Sequence, residues 1–258
     1  MSSLQTAERV SGMDPSDNYV FQRSILAYHK ATDFIPPGSE ICEIGSGEGY
    51  AINLLYPLVK KYVALDKYPP NVDLSQYPNL EFQQTVFPPM SNVPSDSFDV
   101  VITFQVIEHV QNDLLFLREA HRILKPGGKL IVTTPNKPMS ITRNPWHVRE
   151  YFPNELKNLC AKVFKSVITK GVFGNSTVME YYEKNKAGVR KITRFDIFNL
   201  QYRLPRWMLQ IPYDILNRYN RKKILTNNTS LTSGIKMDDY YVDDVNENCF
   251  DLFYVMEK

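Results

Sequence analysis

Gly45-Ser46-Gly47-Glu48-Gly49 is a glycine-rich run between a short apolar stretch, residues 40–44, and a helical one that starts at Tyr50. Such a turn lets backbone approach a ligand, and the start of the following helix favours negative charge there. Two carboxylates narrow the ligand. Glu43, two residues before Gly45, suits an ammonium group and repels a diphosphate. A dinucleotide fingerprint would place its third glycine at position 50, which is Tyr50, so a pyrophosphate is disfavoured. Asp66 closes the next apolar stretch, where a carboxylate accepts hydrogen bonds from both ribose hydroxyls in nucleoside-binding sheets. The plainer alternative is a solvated Asp opening a turn before Pro69-Pro70. The pattern asks for an amino-acid-like head joined to a nucleoside without phosphates.

Proton transfer needs a base, and the chain has four histidines. His29 and His121 lie on helical stretches and read as structural. His147 is the best candidate. It lies in Arg143-Asn144-Pro145-Trp146-His147-Val148-Arg149-Glu150-Tyr151, after the fifth predicted strand and at the edge where ligands bind. Its alternative role is to anchor that loop. No metal is implied, because Asp, Glu and His do not cluster at ligand spacing. Cys42, Cys160 and Cys249 have unrelated spacings and lie in apolar runs, which predicts buried, reduced thiols in a cytoplasmic protein.

The elements that must position these residues follow from periodicity. A helix is predicted over residues 17–34, stopped by Pro36-Pro37-Gly38. Strands are predicted over residues 40–44, 62–65, 80–83, 98–103, 129–134, 163–169 and 249–256. Helices alternate with them over residues 50–59, 112–124 and 155–161. Residues 98–103 are almost wholly apolar, as in a sheet covered on both faces. Pro126 and Gly127 stand where a type II turn needs them. The alternation implies an α/β fold with a mostly parallel, doubly wound, Rossmann-like sheet.

The 258 residues, 43% hydrophobic and 22% charged, suffice for one large α/β domain and exclude a disordered or fibrous chain. No run of about 18 uncharged apolar residues exists to span a membrane. Residues 1–12 are polar and do not read as a secretory signal. Three parts are expected: an N-terminal helical cap, 1–37; the ligand-binding domain, 38–174 with 246–258; and an inserted helical segment, 175–245, with interruptions at Gly188, Pro205 and Pro212.

S-adenosylmethionine answers to the ligand described above, and the sequence resembles the class I S-adenosylmethionine-dependent methyltransferases. The resemblance covers about residues 38–170 and the final strand. It rests on residues 41–50 (Ile-Cys-Glu-Ile-Gly-Ser-Gly-Glu-Gly-Tyr), Ala64-Leu65-Asp66, Ser97-Phe98-Asp99-Val100-Val101, Val106-Ile107-Glu108-His109-Val110 and Leu124-Lys125-Pro126-Gly127-Gly128, in that order. It implies a seven-stranded sheet whose last strand is antiparallel and inserted beside the fifth. It also implies that Glu43, Gly45, Ser46, Gly47 and Gly49 line the methionine moiety and that Asp66, with Lys67, binds the ribose side. An acidic adenine contact is lacking after the third strand, where Thr85, Val86 or a backbone carbonyl would serve instead. Phe104 and Gln105 would flank the transferred methyl, His109 would shape the cofactor side, and Tyr50 or Phe104 would face the sulfonium by cation–π attraction. Loops similar to Asn-Pro-x-His occur in the branch with quinone-precursor O-methyltransferases and polysaccharide or natural-product methyltransferases.

The implied activity is methyl transfer to an oxygen or nitrogen of a small-molecule or sugar-like acceptor. Its alternatives are a cofactor-binding protein without turnover and a nicotinamide oxidoreductase, the latter disfavoured by Tyr50 and Glu43. The inserted segment has eleven basic side chains between Lys184 and Lys223 against Asp196 and Asp214 alone. It reads as a lid over the acceptor, its cations pairing with the acidic run Asp238 to Glu247. The sharper reading is a surface for an anionic, membrane-associated or lipid-linked acceptor, using Leu204, Trp207, Met208 and Ile211, which would place the protein peripherally at a membrane. No nucleic-acid reading module accompanies the charge.

Overall fold

The computed structural model describes residue 10 and residues 12–258. The remaining polar residues before Gly12, with their reading as a non-signal segment, lie outside the described residues. After a 3-10 turn, Pro15–Asp17, comes α1 (Asn18–Thr32), and strands then alternate with helices as the periodicity predicts. The strands are β1 (Ser39–Ile44), β2 (Val59–Asp66), β3 (Leu80–Gln84), β4 (Phe98–Phe104), β5 (Leu124–Pro135), β6 (Ser166–Gly174), β7 (Tyr240–Asp244) and β8 (Asp251–Glu257). The later helices are α2 (Ile52–Leu55), α3 (Asp113–Ile123), α4 (Pro153–Cys160), α5 (Ser176–Thr193), α6 (Leu200–Arg203), α7 (Arg206–Asn227) and α8 (Thr229–Gly234).

One eight-stranded sheet runs in the order β3-β2-β1-β4-β5-β8-β6-β7. Strands β1 to β5 are parallel, and β8 enters antiparallel between β5 and β6. The eighth strand corrects the expected seven. It is β7, antiparallel to β6 at the sheet edge and inside the segment read as purely helical. Its Tyr-Tyr-Val centre is hidden in sequence by acidic neighbours, a common way to keep an edge strand from pairing further. One acid of the run serves the sheet: Lys170 on β6 pairs with Asp244 at 2.6 Å.

The alternation along each strand divides the core. Ile41, Val100, Ile102, Ile131, Phe253 and Val255 meet Leu26, Ala27 and Ala31 of α1 on one face. Cys42, Val101, Leu130, Val132 and Leu252 meet Phe116, Leu117 and Ala120 of α3, and Leu156 of α4, on the other. A fully buried Leu or Phe in such layers contributes roughly 1.5–3 kcal/mol, so the sheet holds its carboxyl edge firmly. All three cysteines are free and buried, as expected.

Two helical expectations differ. The helix after the glycine run is a single turn, α2, because Pro57 tips the chain into a 3-10 turn and β2 begins at Val59. Conversely, α5 and α7 run through Gly188 and Pro212. A Cβ at Gly188 would stand 2.4 Å from the Asn220 side-chain oxygen, so this glycine lets α5 and α7 approach. Pro212 frees the Met208 carbonyl on an exposed turn, where solvent can reach it.

Candidate functional site

The glycine run folds as a turn between β1 and α2. Gly45 has φ +84°, and a Cβ there would lie 2.3 Å from Val106 Cγ2. Gly47 has φ +56°, with no atom within 4 Å of where its Cβ would stand, which leaves a cradle open above the backbone. The Ser46 hydroxyl is buried with no hydrogen-bond partner. Asp66 at the end of β2 accepts from Gly47 N–H at 2.8 Å and from Tyr68 N–H at 2.9 Å. A carboxylate has about four acceptor sites, so this one retains capacity for ribose hydroxyls. An open cradle, an unsatisfied buried hydroxyl and an anchored carboxylate fit the expected amino-acid nucleoside.

Glu43 has two partners that the sequence did not show. It is fully buried, and each carboxylate oxygen accepts from a phenol: Tyr28 on α1 donates to Oε1 at 2.5 Å, and Tyr62 on β2 donates to Oε2. Burial pushes the Glu43 carboxyl up while the two phenols pull it back. Both phenols lie well above their ordinary range, chiefly through burial, with the Glu43 charge adding to it. Glu43 therefore anchors α1 to the strand end, and like Asp66 it retains an acceptor site on each oxygen. Tyr28 also gathers the two aromatics named in the sequence, with Phe104 at 4.6 Å and Tyr50 at 5.8 Å between ring centroids. Nothing local in the sequence marked either tyrosine.

On the far side of Asp66, Lys67 is exposed with its ammonium 5.3 Å from the Tyr68 ring. Thr85 N–H donates to the Asp66 carbonyl at 2.9 Å, and Val86 is exposed. Gln105, after β4, holds the left-handed φ of +57° and donates to Thr133 Oγ1 at 3.3 Å. Strain of this kind persists where surrounding structure demands it. Also unforeseen is a buried ion pair, Arg23 Nε on α1 to Asp251 Oδ2 on β8 at 2.9 Å, which closes the sheet edge near Gln105.

The loop after β5 makes a second polar centre. Trp146 N–H donates to Asn144 Oδ1 at 3.0 Å, which turns Asn144 Nδ2 to His147 Nε2 at 2.8 Å. His147 Nδ1 is 2.7 Å from Glu150 Oε1, and Ser140 donates to Glu150 Oε2 at 2.5 Å. This network assigns the proton to Nδ1 and the lone pair to Nε2. His109 meets this loop: its Nδ1 is 3.1 Å from the Trp146 carbonyl, and its ring is 4.9 Å from that of His147. Glu108 lies beneath them, fully buried, with Thr134 donating to Oε2 at 2.9 Å and Oε1 unpaired. Burial pushes its carboxyl up, opposed by His109 and His147.

Glu108, His109 and His147 each offer a ligand atom within 4.8 Å of the others, a group able to hold a metal ion. This corrects the spacing argument against a cluster, since the fold supplies His147 from a different loop.

A cavity of about 580 Å³ opens beside this network. Ser140, Asn144, His147 and Glu150 form one polar corner, and Val189, Ile192, Leu209, Tyr213 and Leu216 of α5 and α7 supply apolar wall. In sheet order β4 separates β1, which carries the glycine turn, from β5, which carries this loop. Phe104 and Gln105 thus stand between ligand cradle and cavity.

Comparisons with known proteins bear on the family and the fold. The Methyltransferase domain family matches residues 17–166. A probable S-adenosylmethionine-dependent methyltransferase of Mycolicibacterium smegmatis is 31% identical over 183 residues, covering 68% of this chain and 70% of its own. A ubiquinone biosynthesis O-methyltransferase of Xanthomonas campestris pv. campestris is 29% identical over 107 residues, covering 39% and 45%. A Thermotoga maritima structure described as a possible histamine N-methyltransferase superposes with a TM-score of 0.54 at 15% identity, over 93% of this chain and 92% of its own, a likeness of fold alone.

Proposed function

The chain belongs to the class I S-adenosylmethionine-dependent methyltransferases, and from that premise we propose that it methylates a hydroxyl oxygen on a small, largely apolar acceptor held in the 580 Å³ cavity. S-adenosylmethionine supplies an electrophilic methyl on a sulfonium. The glycine turn, Ser46 and Asp66 would hold it, and Phe104 and Gln105 would flank the methyl where it meets the acceptor oxygen. Methyl transfer is an in-line displacement, so the protein's main work is alignment and exclusion of water.

A hydroxyl must also lose its proton, whereas a neutral amine need not. The observation that carries the oxygen reading is the His147–Glu150 pair at 2.7 Å on the cavity's polar corner. Glu150 holds the Nδ1 proton, which leaves Nε2 to take the proton of the acceptor hydroxyl once Asn144 yields. The likeness to ubiquinone biosynthesis O-methyltransferases, over 39% of the chain, supports oxygen as the attacking atom.

The test is formation of S-adenosylhomocysteine from a panel of phenols, alcohols and amines, each with and without an alkyl or isoprenoid tail. Turnover with tailed hydroxyl compounds is expected to exceed that with their tailless or amine counterparts. Preference for a short polar amine would overturn the proposal.

A further inference from the structure

The inserted segment shows a surface that cofactor binding and catalysis do not explain. Along α7, Trp207, Ile211, Ile215 and Tyr219 recur every fourth residue, each 58–72% exposed. That spacing puts them on one helical stripe. Just before α6, Phe195, Ile197 and Phe198 are 63–77% exposed. So much exposed apolar surface on one segment marks a place where something docks.

Charge identifies the occupant. Arg194, Arg203, Lys222 and Lys223 flank the stripe and are all exposed. The two acids between Lys184 and Lys223 are engaged within the chain: Asp196 accepts from Leu200 and Gln201 N–H at 2.7 and 3.0 Å, and Asp214 accepts from Trp146 Nε1 at 2.9 Å. A helix with a basic border and a Trp/Tyr/Ile crest is built to lie in the headgroup layer of an anionic bilayer. Among the described residues no helix is long and apolar enough to cross one.

Position gives the surface a purpose. Phe195, Phe198 and Leu200 are exposed and also line the 580 Å³ cavity, so its mouth opens on the crest. The face of α7 that carries Leu209, Tyr213 and Leu216 forms the cavity wall behind it.

We propose that the α6–α7 crest seats this protein on an anionic membrane surface and that an apolar acceptor enters the cavity from the bilayer there. The entry step rests on the acceptor reading above; the seating does not, and it is tested without acceptor.

The full chain is floated with vesicles of phosphatidylcholine alone and with phosphatidylglycerol added. Binding to the anionic vesicles is expected to be tighter by roughly tenfold or more, with a blue shift of Trp207 emission, and to weaken as salt rises. Trp207→Ser with Ile211→Ser is expected to reduce it by a similar factor while leaving S-adenosylhomocysteine affinity unchanged, since both side chains are exposed. Arg203→Glu with Lys222→Glu is expected to abolish the anionic preference by charge alone. Equal binding to neutral vesicles, no binding, or a crest-dependent dimer in solution would each overturn the proposal. A failed acceptor panel with intact vesicle binding would count against the acceptor reading alone.

Discussion

The Tyr28 phenol, on the first helix, donates to the buried Glu43 carboxylate at 2.5 Å, and so ties α1 to the end of the strand that carries the glycine turn. Burial raises the Glu43 carboxyl, so its contribution to stability is full in acid and declines as pH rises through the folded value. The phenols limit that decline by bonding the charged form. Tyr28→Phe is therefore expected to cost about 1–3 kcal/mol at neutral pH and clearly less in mild acid. Urea unfolding at the two pH values measures this; a loss independent of pH would mean that Tyr28 acts by packing alone.

Asp66 does two jobs with one carboxylate: it holds Gly47 N–H and, on our reading, the ribose hydroxyls. Asp66→Ala is expected to weaken S-adenosylhomocysteine binding by about 10–100-fold, the worth of one or two hydrogen bonds to a charged group. Asp66→Asn keeps one acceptor oxygen and is expected to fall between the two in calorimetry. Unchanged affinity in both variants would move the ribose elsewhere.

Much of this was legible beforehand, and the failures have a common cause. The parallel sheet showed because buried strands are apolar runs broken by glycine and proline. The glycine turn showed because its chemistry is contiguous. Glu43's partners did not, since a tyrosine fifteen residues upstream on a helix carries no local mark of where its hydroxyl ends. The Glu108–His109–His147 group escaped for the same reason, and β7 was hidden by acids that protect an edge. Gly188 read as a break because only the packed structure reveals Asn220 against it.

Lys125, at the amino end of β5, donates to Glu40 at 2.7 Å and Asp99 at 2.9 Å, joining the amino ends of three strands. The side-chain bond from Lys125 lowers the Glu40 carboxyl. At Asp99 burial raises the carboxyl, but the Glu40 N–H and Lys125 outweigh it and the net shift is down. Lowered carboxylates stabilise above their unfolded values and lose that contribution as pH falls through the folded ones. The groups are about a third exposed, so Lys125→Met is expected to cost only about 0.5–1 kcal/mol at neutral pH. Its acid-unfolding midpoint should move to higher pH; an unmoved midpoint would remove the clamp from the account.

His147 can act as a base only while Nε2 is free to take a proton, and the same lone pair would bind a cation beside Glu108 and His109. These uses exclude each other and separate experimentally. As the base, His147→Gln is expected to lower kcat by about 10²–10⁴ with little change in S-adenosylhomocysteine affinity. Glu150→Gln is expected to lose less, because the ring remains but its Nδ1 proton is no longer held by a charge. Chelator should leave turnover intact, whereas added Zn²⁺ should inhibit by occupying Nε2, and Glu108→Gln should relieve that inhibition by withdrawing the buried anionic ligand. If chelator instead abolished turnover and Zn²⁺ or Mn²⁺ restored it, His147 would be a ligand and the hydroxyl would lose its proton by another route.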